Sequence, residues 1–179
     1  AATLEDALLI EQRMLAEGLG PNLECVGMLM EAGIGACAHG GGRLSDGEAI
    51  MERARDRGEV LGERTYVQLM GMVGALAKAG KAGPRDAEKV LQSMRGAGLT
   101  PGAVMFEAML DVVRDSTARD KSNSQYLRGI IAHMAGSGVK PDARAVIKAA
   151  EVARLGGSVE AAREASTLLM QLPPKGRSQ

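Results

Sequence analysis

A glycine recurs every 40 residues along the chain, at Gly18, Gly58, Gly98 and Gly138. At three of these four junctions a proline follows three residues later, and the next residue is Asn, Gly or Asp. A glycine just past a helix closes its C-terminus in the left-handed conformation, and a proline three residues on prevents the helix from continuing. The residue after the proline is then placed to cap the next helix. Each junction therefore predicts the end of one helix and the start of another.

Apolar residues between the junctions have helical spacing. Val90, Leu91 and Met94 share one helical face, and the same pattern recurs 40 residues later in segment 130–134. Each interval between junctions holds two such segments, joined by turn-forming residues such as those at 40–42. The pattern predicts about nine helices, near 4–17, 23–39, 44–57, 63–79, 84–97, 103–117, 123–136, 143–155 and 159–172.

The composition agrees with an all-α fold. Aromatic residues make up 2% of the chain, with one Phe and no Trp, whereas Gly reaches 24 and Met 11. Sheets need more β-branched and aromatic side chains than this, so all-β folds are excluded. Single helices of this length are marginal in water, and stacking against neighbours has to stabilise them. We predict one array over residues 1–172, with partial units 1–22 and 143–172, complete units 23–62, 63–102 and 103–142, and a tail at 173–179.

Glycines also fall inside the predicted helices, at Gly33, Gly35, Gly71 and Gly74. Each costs about 1 kcal/mol relative to alanine in a helix interior. We therefore expect neighbouring helices to approach closely at these four positions.

Charge and cysteine content exclude several functional classes. The chain has 22 basic and 22 acidic residues, a net charge of zero, so its total charge does not predict attraction to polyanions. Cys25 and Cys37 are too few for a disulfide framework or a zinc site, and they favour a reducing compartment. No apolar run is long enough to span a membrane, and the first residues lack a signal-peptide pattern. We expect a soluble protein.

No arrangement of residues indicates catalysis. A nucleophile, a base and an orienting acid do not recur at one site, and His39 beside Cys37 lacks the further ligands that a metal needs. We expect a binding protein that is not an enzyme, with no cofactor, no metal and no small-molecule substrate.

The helical units resemble pentatricopeptide repeats. Segment 4–22 resembles the second helix and exit turn of such a repeat position by position, and segments 78–81, 94–101 and 134–142 agree with it as well. Tetratricopeptide repeats are the nearest alternative, but their Trp-containing signature is absent. The resemblance implies a right-handed α-solenoid that binds single-stranded RNA along a groove, in a mitochondrion or plastid.

The resemblance also implies which residues face RNA. In the family, each base is read by the fifth residue of a unit's first helix together with the unit's last residue. These positions are Asn22, Gly27, Gly62, Val67, Gly102, Glu107, Asp142 and Ile147. Gly27 pairs with Gly62, Val67 with Gly102, and Glu107 with Asp142. The family's usual fifth residue is Asn, Thr or Ser, and none of the four fifth positions has one.

Two functional hypotheses follow. The first is an RNA or ribonucleoprotein-docking role in organellar RNA metabolism or translation, centred on Glu107 and Asp142. The second is a protein scaffold whose partners are subunits of a large organellar assembly such as a ribosome. The second, the alternative reading, draws support from two features: Gly and Val side chains cannot discriminate bases, and the first helices at 23–39, 63–79 and 103–117 carry three basic against six acidic residues, or −3.

Overall fold

A computed structural model describes residues 3–171, and all regular structure in this part is helical. The α-helices are α1 (Leu4–Ala16), α2 (Leu23–Ala38), α3 (Leu44–Asp56), α4 (Glu63–Lys78), α5 (Pro84–Gly96), α6 (Ala103–Thr117), α7 (Tyr126–Gly136), α8 (Ala143–Gly156) and α9 (Val159–Gln171). The predicted all-α helical-repeat fold is confirmed. Residue 172 and the predicted tail at 173–179 lie outside the described residues.

Every predicted helix start except one coincides with an observed start. The exception is the helix predicted near 123, where a 3-10 helix, Lys121–Gln125, precedes α7. Asp120 accepts a hydrogen bond from the Ser122 amide at 3.0 Å, and the Ser124 hydroxyl donates to the Lys121 carbonyl at 2.9 Å. Such local side-chain bonds compete with α-helical hydrogen bonds and favour the tighter turn.

The junction glycines all adopt the left-handed conformation, with φ between 68° and 85°. At Gly98 the amide donates to the Arg95 carbonyl at 2.9 Å, and the Leu99 amide donates to the Met94 carbonyl at 3.2 Å. This pair of bonds satisfies carbonyls that the end of a helix leaves unpaired. The equivalent bonds recur at the other three junctions. The helix ends predicted from the repeated glycine are therefore confirmed.

Replacing Gly98 by alanine is expected to lower the free energy of unfolding by about 1–2 kcal/mol, because a Cβ is strained at φ +77°. Gly96 offers a matched control, since it ends α5 without a positive φ and has open space around it. Gly96→Ala should raise stability by about 0.4–1 kcal/mol. Chemical denaturation of both variants measures the two effects, and shifts of the same sign would contradict the assigned turn.

Contacts divide the chain into two compact units, with the boundary between Thr100 and Pro101. In unit 1, the first helices α2 and α4 pack side by side, α1 and α3 pack against α2, and α3 and α5 pack against α4. In unit 2, α6 packs against α8, α7 against α6, and α9 against α8 and α7. The single array over 1–172 remains a prediction.

The core repeats with the sequence period. The equivalent positions 26, 66 and 106 hold Val26, Tyr66 and Phe106, each 0% exposed. The residues at the equivalent positions 30, 70 and 110 are also 0% exposed. On the second helices, the side chains at positions 50, 90 and 130 are at most 3% exposed. Spacings of three and four residues place these side chains on one helical face, so each helix contributes a stripe to the core.

Two of the four helix-interior glycines lie at close helix contacts. A Cβ at Gly33 would lie 3.1 Å from Met72 Cε, and a Cβ at Gly71 would lie 3.0 Å from Ile34 Cδ1. These contacts link α2 and α4 and confirm the expectation at both positions. At the other two glycines, no neighbouring atom of the described chain lies within 4 Å of the added Cβ. The expectation is wrong there, because no neighbouring side chain or backbone comes near enough to contact a Cβ at either position.

Candidate nucleic-acid interface

The predicted RNA-facing residues lie at equivalent places on the first helices. Gly27 and Val67 occupy the fifth positions of α2 and α4 in unit 1, and Glu107 and Ile147 those of α6 and α8 in unit 2. The first three residues are half-buried, and Ile147 is 59% exposed. We call the surface around these fifth positions in each unit its first-helix face.

The predicted closing residues are the N-caps of the first helices. Asn22 Oδ1 accepts a hydrogen bond from the Cys25 amide at 3.1 Å, and Asp142 Oδ1 accepts one from the Ala145 amide at 2.8 Å. Capping satisfies an amide that the start of a helix leaves unpaired, so it fixes the direction of each side chain. Gly62 and Gly102 cap α4 and α6 without a side chain. Among these four N-cap residues, only Asn22 and Asp142 therefore offer polar side-chain groups.

A polar bridge joins the two first helices of unit 1. Gln68 Nε2 donates to the Gly27 carbonyl at 3.2 Å and to Glu31 Oε1 at 2.9 Å. Gln68 is 6% exposed, so these bonds lie mostly out of water. Buried amide groups are costly unless they are hydrogen-bonded, and the two acceptors on α2 satisfy this requirement.

A second bridge has the same geometry in unit 2. Lys148 Nζ lies 2.7 Å from Asp111 Oδ2 and 3.4 Å from the Glu107 carbonyl. The Glu107 carboxylate lies 3.7 Å from the same ammonium, and both side chains are 20% exposed. The predicted base-facing residue Glu107 is thus held by a cation on the next first helix.

Sequence patterns alone do not single out these bridges. Gln68 and Lys148 stand 80 residues apart at the sixth position of their helices, in a column that otherwise holds Met28 and Ala108. The only available signal is a polar residue in this column on α4 and α8. A polar residue on a helix is usually solvated, so this signal becomes informative only when the neighbouring helix is known.

Arg114 forms ion pairs with three carboxylates on the first-helix face of unit 2. Its guanidinium lies 2.9 Å from Asp111, 3.0 Å from Asp115 and 3.6 Å from Glu151. Partial burial by itself would lower the pKa of Arg114, but Asp115, Asp111 and Glu151 outweigh it and raise the pKa above the usual value of arginine. Arg114 therefore stays charged and neutralises part of a carboxylate-rich surface.

Charge differs among the first helices. The charged residues of α2, Glu24 and Glu31, are both acidic. α8 carries three basic residues against one acidic residue, or +2, and its Arg144 is exposed. The net charge of −3 over segments 23–39, 63–79 and 103–117 does not include α8. The most favourable place for a phosphate is thus near Arg144 at the start of α8, because opposite charges attract and Lys148 on the same helix is already held by Asp111 and Glu107.

Other site types receive no support in the described residues. Between residues 3 and 171, no group of three or more His, Cys, Asp or Glu side chains is placed to hold a metal ion. Burial raises the pKa of the Cys37 thiol, which is 0% exposed, so this thiol is a poor nucleophile. Among the described helices, none is long and apolar enough to cross a bilayer.

Comparison with known proteins gives a structural likeness. No protein-family profile and no curated protein sequence matches the chain. Among solved structures, the chain is similar to the PPR domain of protein-only RNase P 1 from Arabidopsis thaliana, which was crystallised in complex with tRNA. The two are 18% identical, with a TM-score of 0.63, and the match covers 94% of this chain and 80% of that chain. The likeness therefore concerns the fold.

Proposed function

We propose that this chain, which has a pentatricopeptide-like helical-repeat fold, binds single-stranded RNA through the first-helix faces of its two units. The supporting observation is the equivalence of position from repeat to repeat. Fifth residues and N-caps recur at the same places on α2, α4, α6 and α8, which suits a ligand with a repeating backbone. The similar PPR domain was solved with tRNA, which supports an RNA ligand.

The side chains allow base discrimination mainly in unit 2. Gly27 and Val67 have no side-chain hydrogen-bonding groups, so they contact a base without identifying it. Glu107 and Asp142 carry carboxylates, which accept hydrogen bonds from the exocyclic amino groups of cytosine, adenine and guanine. Uracil lacks such an amino group. We therefore infer a preference for bases that carry an exocyclic amino group, such as cytosine, over uracil at the position facing Glu107 and Asp142.

Titration of fluorescently labelled oligocytidine and oligouridine RNAs tests this function. We expect binding that weakens with salt, because phosphate contacts release counterions, and an affinity about 3- to 10-fold higher for oligocytidine. Glu107→Gln is the matched variant, since an amide both donates and accepts and should reduce the preference. Absence of binding at low salt would reject the RNA-binding function.

A role as a protein scaffold in a large organellar assembly is the second candidate. An apolar groove of about 530 Å³ lies between α8 and α9 and is lined by residues such as Val146, Ala162 and Leu169. This groove and the acidic α2 suit a protein partner better than a phosphate backbone. In the same titration the scaffold role predicts no RNA binding. Both candidates are non-enzymatic, and location in a mitochondrion or plastid is proposed on the resemblance alone.

A further inference from the structure

We infer that Gln68 and Lys148 are positioning residues, each of which sets the axial register between two consecutive first helices and thereby the placement of the upstream fifth residue toward a bound base. The inference rests on the proposed RNA-binding function. It concerns two residues outside the predicted RNA-facing set. Neither needs to touch RNA, because Gln68 acts through α2 and Lys148 acts through α6, in each case the first helix of the preceding repeat.

The geometry of the two bridges supports this role. Each side chain donates to the carbonyl of the upstream fifth residue, Gly27 or Glu107, and to a carboxylate four residues further along the same helix. Residues four apart lie one turn apart on the same helical face. A donor that reaches both groups therefore fixes the height of its own helix against the upstream helix to within the tolerance of a hydrogen bond.

Folding alone does not require a polar residue at these positions. The contacted carbonyls already lie inside α2 and α6, and the equivalent positions elsewhere in the chain are Met28 and Ala108. A well-packed apolar side chain often stabilises a protein as much as a buried polar bridge does. What a bridge adds is a single preferred register, and placing bases at a regular spacing requires one.

Lys148 has an additional electrostatic role that Gln68 lacks. Its ammonium lies between the carboxylates of Asp111 and Glu107, at 2.7 Å and 3.7 Å. Without this cation, Glu107 would lose its cationic neighbour and Asp111 would keep only Arg114, so more negative charge would face the phosphates of a bound strand and repel them. The two bridges therefore predict different results when they are removed.

Lys148→Met tests the inference, because it keeps much of the apolar stem and removes both charge and donor. We expect about tenfold weaker binding of oligocytidine and loss of the preference over oligouridine. Lys148→Arg should restore affinity to within about threefold, since it returns a charged donor. Gln68→Leu should weaken binding about threefold and leave the base preference unchanged, because the fifth residue that it positions is a glycine. Circular dichroism of each variant checks that the helices are retained.

The outcomes separate the inference from the function on which it rests. A wild-type chain that fails to bind RNA overturns both. A wild-type chain that binds, with Lys148→Met equal to it in affinity and base preference, overturns the positioning role alone. If Lys148→Met loses its helical circular dichroism signal, Gln68→Leu becomes the test. Wild-type RNA affinity in Gln68→Leu overturns the inference, and the expected loss of about threefold in affinity at unchanged helicity supports it. A purely structural role would lower the stability of Lys148→Met without changing the ratio of its affinities for the two RNAs, and it would lower the stability of Gln68→Leu without changing the affinity of its folded form.

Discussion

Replacing Phe106 by alanine is expected to lower the free energy of unfolding by about 3–5 kcal/mol. Phe106 is 0% exposed in α6, and it is the only phenylalanine in the chain. The substitution removes most of an aromatic side chain and leaves a cavity that neighbouring helices fill only in part. Because a small domain has only about 5–15 kcal/mol of stability, we expect a large part of unit 2 to unfold at moderate denaturant concentrations.

Ile147→Ala is the control for this experiment. Ile147 lies one residue from the position equivalent to Phe106, but it is 59% exposed. Exposed substitutions usually change stability by less than about 0.5 kcal/mol. Chemical denaturation followed by circular dichroism measures both variants. Equal shifts in the two would contradict the assigned helical face, since the two side chains would then be equally buried.

Removing the carboxylate of Glu11 is expected to destabilise unit 1. Glu11 is 4% exposed in α1, and it binds Arg53 of α3 at 3.0 Å and Arg57, the C-cap residue of α3, at 3.2 Å. Breaking a buried pair from one side costs about 3–5 kcal/mol, because the remaining charge is left unpaired. The two arginines are 40% and 22% exposed, so water relieves part of this cost. We expect about 2–3 kcal/mol for Glu11→Ala.

A matched control and a double variant make this prediction specific. Glu5→Ala removes an exposed carboxylate from the same helix and should change stability by less than about 0.5 kcal/mol. In the described residues, Arg57 Nε and Nη2 already lack hydrogen-bond partners, so the guanidinium depends on Glu11. Glu11→Leu combined with Arg57→Met should recover stability relative to Glu11→Ala. An equal effect of Glu5→Ala and Glu11→Ala in denaturation would show that the ion pair contributes nothing particular.

The local structure of this chain was largely predictable. Gly98 and its three equivalents marked helix ends because only a residue without a Cβ takes a positive φ cheaply. The 3-10 helix at Lys121–Gln125 was not predictable from apolar spacing, because it depends on side-chain bonds from Asp120 and Ser124. Such bonds involve polar residues that occur equally often in ordinary turns.

The candidate site divides in the same way. The fifth positions and N-caps could be placed from the repeat period and the resemblance, and their side chains showed that Gly27 and Val67 cannot read a base. The bridges of Gln68 and Lys148 could not be placed, because each depends on which neighbouring helix faces the side chain and at what height. These quantities are set by packing between residues about 40 positions apart.

By itself, the sequence determined where helices begin and end and which stripe of each helix is buried, since these depend on interactions within a few residues and on the 3.6-residue period. The tertiary structure alone decided that Glu107 faces a cation, that Glu11 is buried between two arginines, and that glycines 33 and 71 lie at close contacts while 35 and 74 do not. The physical reason is the distance along the chain over which each kind of interaction acts. Helix signals are local, whereas charge pairing and close packing depend on distances that arise only when separate helices are brought together.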